Sequence, residues 1–121
     1  MAKALGVGGI FFKARDPAAL LEWYSRALGL PAADGCVAFA PADMPERSYM
    51  VWSPFAAGTD YFEPSPQPFM FNLVVDDVEG ALAQVEAAGG QRVGTIDDYD
   101  YGRFGWFLDP EGNKVEVWEP R

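Results

Sequence analysis

The chain contains no histidine among its 121 residues. That absence removes the usual general base near neutral pH, the commonest metal ligand, and any Ser-His or Cys-His nucleophilic pair. Cys36 is the single cysteine, which excludes an intrachain disulfide framework and fits a reducing compartment. Basic residues are scarce: 9 Lys and Arg stand against 18 Asp and Glu, for a net charge of −9. Nucleic acid is therefore not an expected partner, because phosphate contacts need a basic footprint. The acidic excess mildly favours cationic ligands. No apolar run approaches a membrane span, and the residues after Met1 lack the apolar stretch of a signal peptide. The expected location is the cytoplasm, with no membrane partner.

Hydrophobic residues, by contrast, make up 50% of the chain and aromatics 15%, which excludes a disordered polymer. A chain of this length buries roughly two-thirds of its unfolded surface in one domain, or in two half-modules sharing a core.

The C-terminal stretch reads as one β-hairpin. Phe104 to Leu108 is aromatic and apolar, as a buried strand should be. Asp109, Pro110, Glu111, Gly112 and Asn113 supply turn chemistry. Lys114 to Trp118 then alternates, with Val115 and Val117 on one face and Lys114, Glu116 and Trp118 on the other.

This strand has an earlier copy. Val51, Trp52 and Pro54 stand in the order of Val117, Trp118 and Pro120, and Met50 takes the place of Glu116. The repeat extends upstream. Gly6 to Ala14 reads as a strand, and Asp16 with Pro17 opens a helix over Ala18 to Leu28, stopped by Gly29. Gly35 to Phe39 and Arg47 to Trp52 read as further strands. In the second half, Phe69 to Val75 is a strand and Asp77 caps a helix over Val78 to Ala88, ended by Gly89 and Gly90. Arg92 to Thr95 is a short strand, and Ile96 to Tyr101 an acidic loop. Asp16 and Gly29 recur as Asp77 and Gly90 at the same spacing, as two copies of one supersecondary unit would.

The half-modules span about 1–54 and 69–121 within a single domain, 1–121. The connector 55–68 contains Pro64, Pro66 and Pro68, which forbid a helix or a central strand there. The expected fold is α+β. Two βαβββ modules in tandem form a curved mixed sheet around a cavity, with helices on the convex faces.

This pattern resembles the vicinal oxygen chelate superfamily, which includes glyoxalase I, extradiol dioxygenases and bleomycin-resistance proteins. The likeness rests on the paired units, on Gly9 to Pro17, on Trp23-Tyr24, on Leu28-Gly29-Leu30 and on Asp109 to Glu116. In metal-dependent members, four concave-face positions can hold a divalent ion. By strand register the resemblance maps them onto Gly9, Met50, Met70 and Glu116. Only Glu116 is a competent hard-metal ligand, and thioethers suit neither Zn²⁺ nor Mg²⁺ in an oxygen-rich site. One carboxylate makes no three- or four-ligand site, so no metal and no cofactor is expected.

Strand alternation assigns Phe11, Met50, Trp52, Met70, Asn72, Glu116 and Trp118 to the concave face. That set is an apolar, aromatic cavity with one carboxylate and one amide, a common composition for a small-molecule site. Glu116 among aromatics should have a raised pKa or a cationic partner, for which Arg103 is the candidate.

Three functions follow. The first is a bleomycin-resistance-like protein, without the usual metal ligands, that binds a small aromatic or cationic molecule. The second is a metal-independent enzyme with an isomerase- or lyase-like step and Glu116 as base. The third is a scaffold for association only. The resemblance also implies a homodimer.

Overall fold

The computed structural model describes residues 1–121. Helix α1 spans Pro17–Leu28, followed by a minimal hairpin of β1 (Ala32–Ala33) and β2 (Cys36–Val37). The second half holds β3 (Phe71–Val74), α2 (Val78–Ala87), β4 (Gln91–Tyr99), β5 (Gly102–Leu108) and β6 (Lys114–Pro120). These four strands form one mixed sheet in the order β3-β6-β5-β4. β6 is parallel to β3 and antiparallel to β5, which is antiparallel to β4. The second half is thus a complete βαβββ unit, and the fold is α+β. No helix is long and apolar enough to cross a membrane.

Each helix is closed by the chemistry its sequence carries. Asp16 accepts from the Ala19 amide at 3.1 Å, Pro17 fills the first turn, and Gly29 ends α1 in the left-handed region at φ 68°. Asp77 caps α2 by accepting from the Gly80 amide at 3.1 Å. Both helices cover the same face of the sheet. Leu20, Trp23, Tyr24 and Ala27 of α1 join Val78, Leu82 and Val85 of α2 over Phe107, Val115 and Val117. Each fully buried aliphatic or aromatic side chain there contributes about 1.5–3 kcal/mol.

The turn from Asp109 to Asn113 ties the halves together. Asp109 accepts from the Tyr24 hydroxyl at 2.7 Å, from the amides of Glu111 and Asn113, and from Asn113 Nδ2. Glu111 accepts from the amides of Arg15 and Asp16 at 2.7 and 2.9 Å, at the start of α1. Those two donors hold its carboxyl below the usual range.

Three expectations differ from the structure. Gly6 to Ala14 and Arg47 to Trp52 form no strand. A strand exists only within a ladder, and neither segment has a ladder partner in this chain. Phe12 still touches the second half, with its ring 4.6 Å from that of Phe71. The first half therefore contributes a helix and a two-rung hairpin, and α1 packs on the second half's layer. The third difference is Ile96 to Tyr101, expected as a loop. Strand β4 runs on to Tyr99 past a register shift between Val93 and Asp97. An edge strand tolerates acidic residues, and Asp98 faces Arg103 across the ladder.

Candidate functional site

The other sheet face is open in that no helix covers it, and it carries polar and aromatic side chains, of which Lys114 and Trp118 are nevertheless buried. Alternation along β6 places Val115 and Val117 in the core and leaves Lys114, Glu116 and Trp118 on the open side. The hairpin register sets Trp106 opposite Glu116 and Phe104 opposite Trp118. Asn72 of β3 lies beside Glu116 on the parallel side.

Glu116 is the hub. One oxygen accepts from Asn72 Nδ2 at 2.7 Å. The other accepts from Trp106 Nε1 at 2.9 Å and from the Tyr61 hydroxyl at 3.0 Å. All three donors are neutral, so the cationic partner expected for Glu116 is not what holds it. Arg103 sits on the other face, near Glu79 at 3.7 Å and Asp98 at 3.7 Å. The reason is parity: Arg103 shares its side of β5 with Gly105 and Phe107, which face the helices.

Tyr61 comes from the connector, which crosses the open face. Its hydroxyl meets Glu116, and its carbonyl accepts from Lys114 Nζ at 2.6 Å. Lys114 Nζ also lies 5.2 Å from the Tyr61 ring centroid and 6.0 Å from that of Trp106. Burial lowers the Lys114 pKa, against the pull of Glu116 and Asp60. Burial and then the Glu116 charge raise that of Tyr61. Phe55 stacks on Tyr61 at 5.6 Å, and Phe62 packs on Phe55 at 5.0 Å.

A second aromatic group lies toward the β4–β5 turn. Trp118 and Phe104 stack at 6.0 Å, and the Tyr49 ring meets Trp118 edge-on at 4.9 Å.

Of the residues expected on the concave face, the structure brings Asn72, Glu116 and Trp118 to one surface. Met70 stands just before β3 and is partly buried. Phe11, Met50 and Trp52 are 94%, 57% and 79% exposed. They belong to the segments without a ladder, so strand alternation does not aim them. Trp106, Lys114 and Tyr61 were not expected at the site. Trp106 is within reach of the sequence because the hairpin turn sets it opposite Glu116, and Lys114 because alternation along the last strand puts it on the Glu116 face. Tyr61 carried no such signal, since nothing in a proline-rich connector says where it crosses a sheet.

No group of three or more His, Cys, Asp or Glu side chains is placed to hold a metal ion. With both Glu116 oxygens already accepting, the residues present do not fit a divalent ion on this face.

Known proteins share this architecture. A glyoxalase/bleomycin resistance protein/dioxygenase family enzyme from Burkholderia phytofirmans PsJN is 18% identical, with a TM-score of 0.56, over 89% of this chain and 93% of that one. TioX from Micromonospora sp. ML1 is also 18% identical over the same shares, with a TM-score of 0.50. TnmS3 from Streptomyces sp. CB03234, an antibiotic binding protein, is 28% identical over 46% of each chain, with a TM-score of 0.40, and that partial likeness carries no argument. Against two further solved structures, the hypothetical protein SA1046 from S. aureus and a superfamily member from Sphaerobacter thermophilus, the chain spans only 45% and 40% of their lengths. No curated protein matches the sequence. The family model for the glyoxalase-like domain matches residues 9–118, nearly the whole chain. With a complete βαβββ unit and the closing turn motif in place, this chain belongs to the glyoxalase-like domain family of the vicinal oxygen chelate superfamily.

Proposed function

We propose that this protein binds a small aromatic or cationic molecule on the open face of its sheet, without metal or cofactor. The observation that carries this reading is the saturation of Glu116 by Asn72, Trp106 and Tyr61, among aromatic rings. A carboxylate so held is a fixed negative point in an aromatic wall, suited to orienting a ligand. It is poorly arranged to take a proton as a general base, so the isomerase- or lyase-like alternative has less support. The missing histidines and the placement of Glu116 favour a member of the family that has lost the usual metal ligands.

The tandem arrangement around a cavity belongs to a homodimer in this reading. Segments 6–14 and 47–52 carry strand-forming residues but have no ladder. A second copy offers the free edges of β3 and β4 as partners. Phe11, Met50 and Trp52 then turn from exposed groups into cavity walls. A cytoplasmic location, with neither nucleic acid nor membrane as partner, completes the proposal.

Elemental analysis of purified protein, paired with tryptophan-fluorescence titrations against hydrophobic cations and neutral aromatics, tests it. The expected result is saturable binding with no stoichiometric metal. A bound transition ion at one per chain, or no binding by any of these probes, overturns it.

A further inference from the structure

We propose that the β4–β5 end of the open face is a subsite for a flat aromatic cation, formed by Asp97, Tyr99, Tyr101 and Phe104, with the buried Trp118 ring backing Phe104. The inference rests on the reading of the open face as a binding surface and names the class of ligand group it takes.

Four rings make a corner. Tyr99 and Tyr101 stack with centroids 5.3 Å apart and planes 3° apart. Phe104 and Trp118 stack at 6.0 Å and 7°. The two pairs meet steeply, since Phe104 lies at 63° to Tyr99 and 66° to Tyr101. A planar cation laid on the exposed tyrosine rings meets π-faces that attract its charge. Tyr99 and Tyr101 remain 45% and 55% exposed, so ring surface is free to be covered.

Asp97 is the unpaired charge at this corner, since the nearby Arg121 guanidinium is held by Asp98 and the Tyr99 carbonyl. Asp97 lies opposite Phe104 in the ladder and therefore on the open face. Its carboxylate accepts from the Tyr99 hydroxyl at 3.3 Å and raises the pKa of that phenol. Asp98, one residue on, has both Arg103 and Arg121 as partners. Asp97 has no Lys or Arg within ion-pair distance, although its neighbour has two. Lys114, the cation of this face, is fastened to the Tyr61 carbonyl. A ligand that brings its own positive charge meets a carboxylate needing one, beside rings whose faces attract it. A neutral ring gains the stacking alone, and an anion is repelled.

The test compares N-methylquinolinium, neutral quinoline and 2-naphthalenesulfonate at pH 7.5 and low salt, read by quenching of tryptophan fluorescence. The cation is expected to bind about tenfold tighter than quinoline, with the sulfonate weakest; tenfold corresponds to about 1.4 kcal/mol. Asp97→Asn should bring the cation down to the level of quinoline, and Asp97→Glu should restore most of the difference. Tyr101→Ala should weaken cation and quinoline alike. Equal affinities for cation and quinoline, or a preference untouched by Asp97→Asn, overturns the subsite and leaves the wider binding reading standing. Affinity that falls as protein concentration rises means that a second copy covers the corner, and also overturns it. If none of the three probes binds the folded protein, the subsite and the wider reading fall together.

Discussion

Tyr24 donates its hydroxyl to Asp109 Oδ2 at 2.7 Å, joining the first helix to the last turn across 85 residues of chain. Both residues are buried. Tyr24→Phe removes the donor and leaves a buried carboxylate oxygen with one partner fewer. The expected loss is about 1–3 kcal/mol, read as a lower urea midpoint at unchanged m-value. Asp109→Ala should cost more, since it strands several donors at once.

The same hydroxyl gives a signed alkaline prediction. Burial, and then Asp109, raise the Tyr24 pKa in the folded chain above its ordinary value of 10.0. The unfolded chain releases this proton first, so the stabilisation is complete below pH 10.0 and declines above it. The slope for this group is about 1.4 kcal/mol per pH unit. Stability measured from pH 8 to 11 should fall more gently in Tyr24→Phe than in the parent chain, and parallel curves would contradict the assignment.

Glu111 acts at the other limb. Its folded pKa is lowered by the amides of Arg15 and Asp16, so its contribution is present above the unfolded value and fades as pH falls through the folded one. Glu111→Gln should flatten the acid limb of the stability profile below about pH 4.5. Hydrogen exchange at the Arg15 and Asp16 amides should quicken in the same variant.

Gly105 packs where no side chain fits. A Cβ there would lie 2.7 Å from Leu82 Cδ1 and 3.1 Å from Val78 Cγ1. Gly105→Ala should therefore destabilise by about 1–3 kcal/mol through overpacking of α2 against β5. Leu82→Ala in the same chain should relieve part of that clash, a non-additivity visible in a double-mutant cycle.

The exposed segments test self-association. If segment 47–52 pairs with a second copy, Trp52→Ser should weaken the dimer at least tenfold in sedimentation equilibrium while far-ultraviolet dichroism stays that of the parent. An unchanged dimer would place the contact elsewhere.

Local chemistry made much of this protein legible in its sequence. Asp16, Pro17 and Gly29 bound α1, Asp77 starts α2, and the Asp109 to Asn113 turn sets the final hairpin, because caps and turns are decided within a few residues. Period-two alternation after that turn places Glu116 and Trp118 on one face. Only the tertiary structure decided the rest, because those features depend on residues distant in the chain. Tyr61 reaches Glu116 over 55 residues and fastens the connector to the open face. Segments 6–14 and 47–52 are rich in strand-forming residues, yet strand formation needs a neighbour's backbone, and neither segment pairs with one within the chain. Asp97 and Asp98 look like loop residues in one dimension, but pairing with Phe104 and Arg103 extends the strand through them and sends their carboxylates to opposite faces.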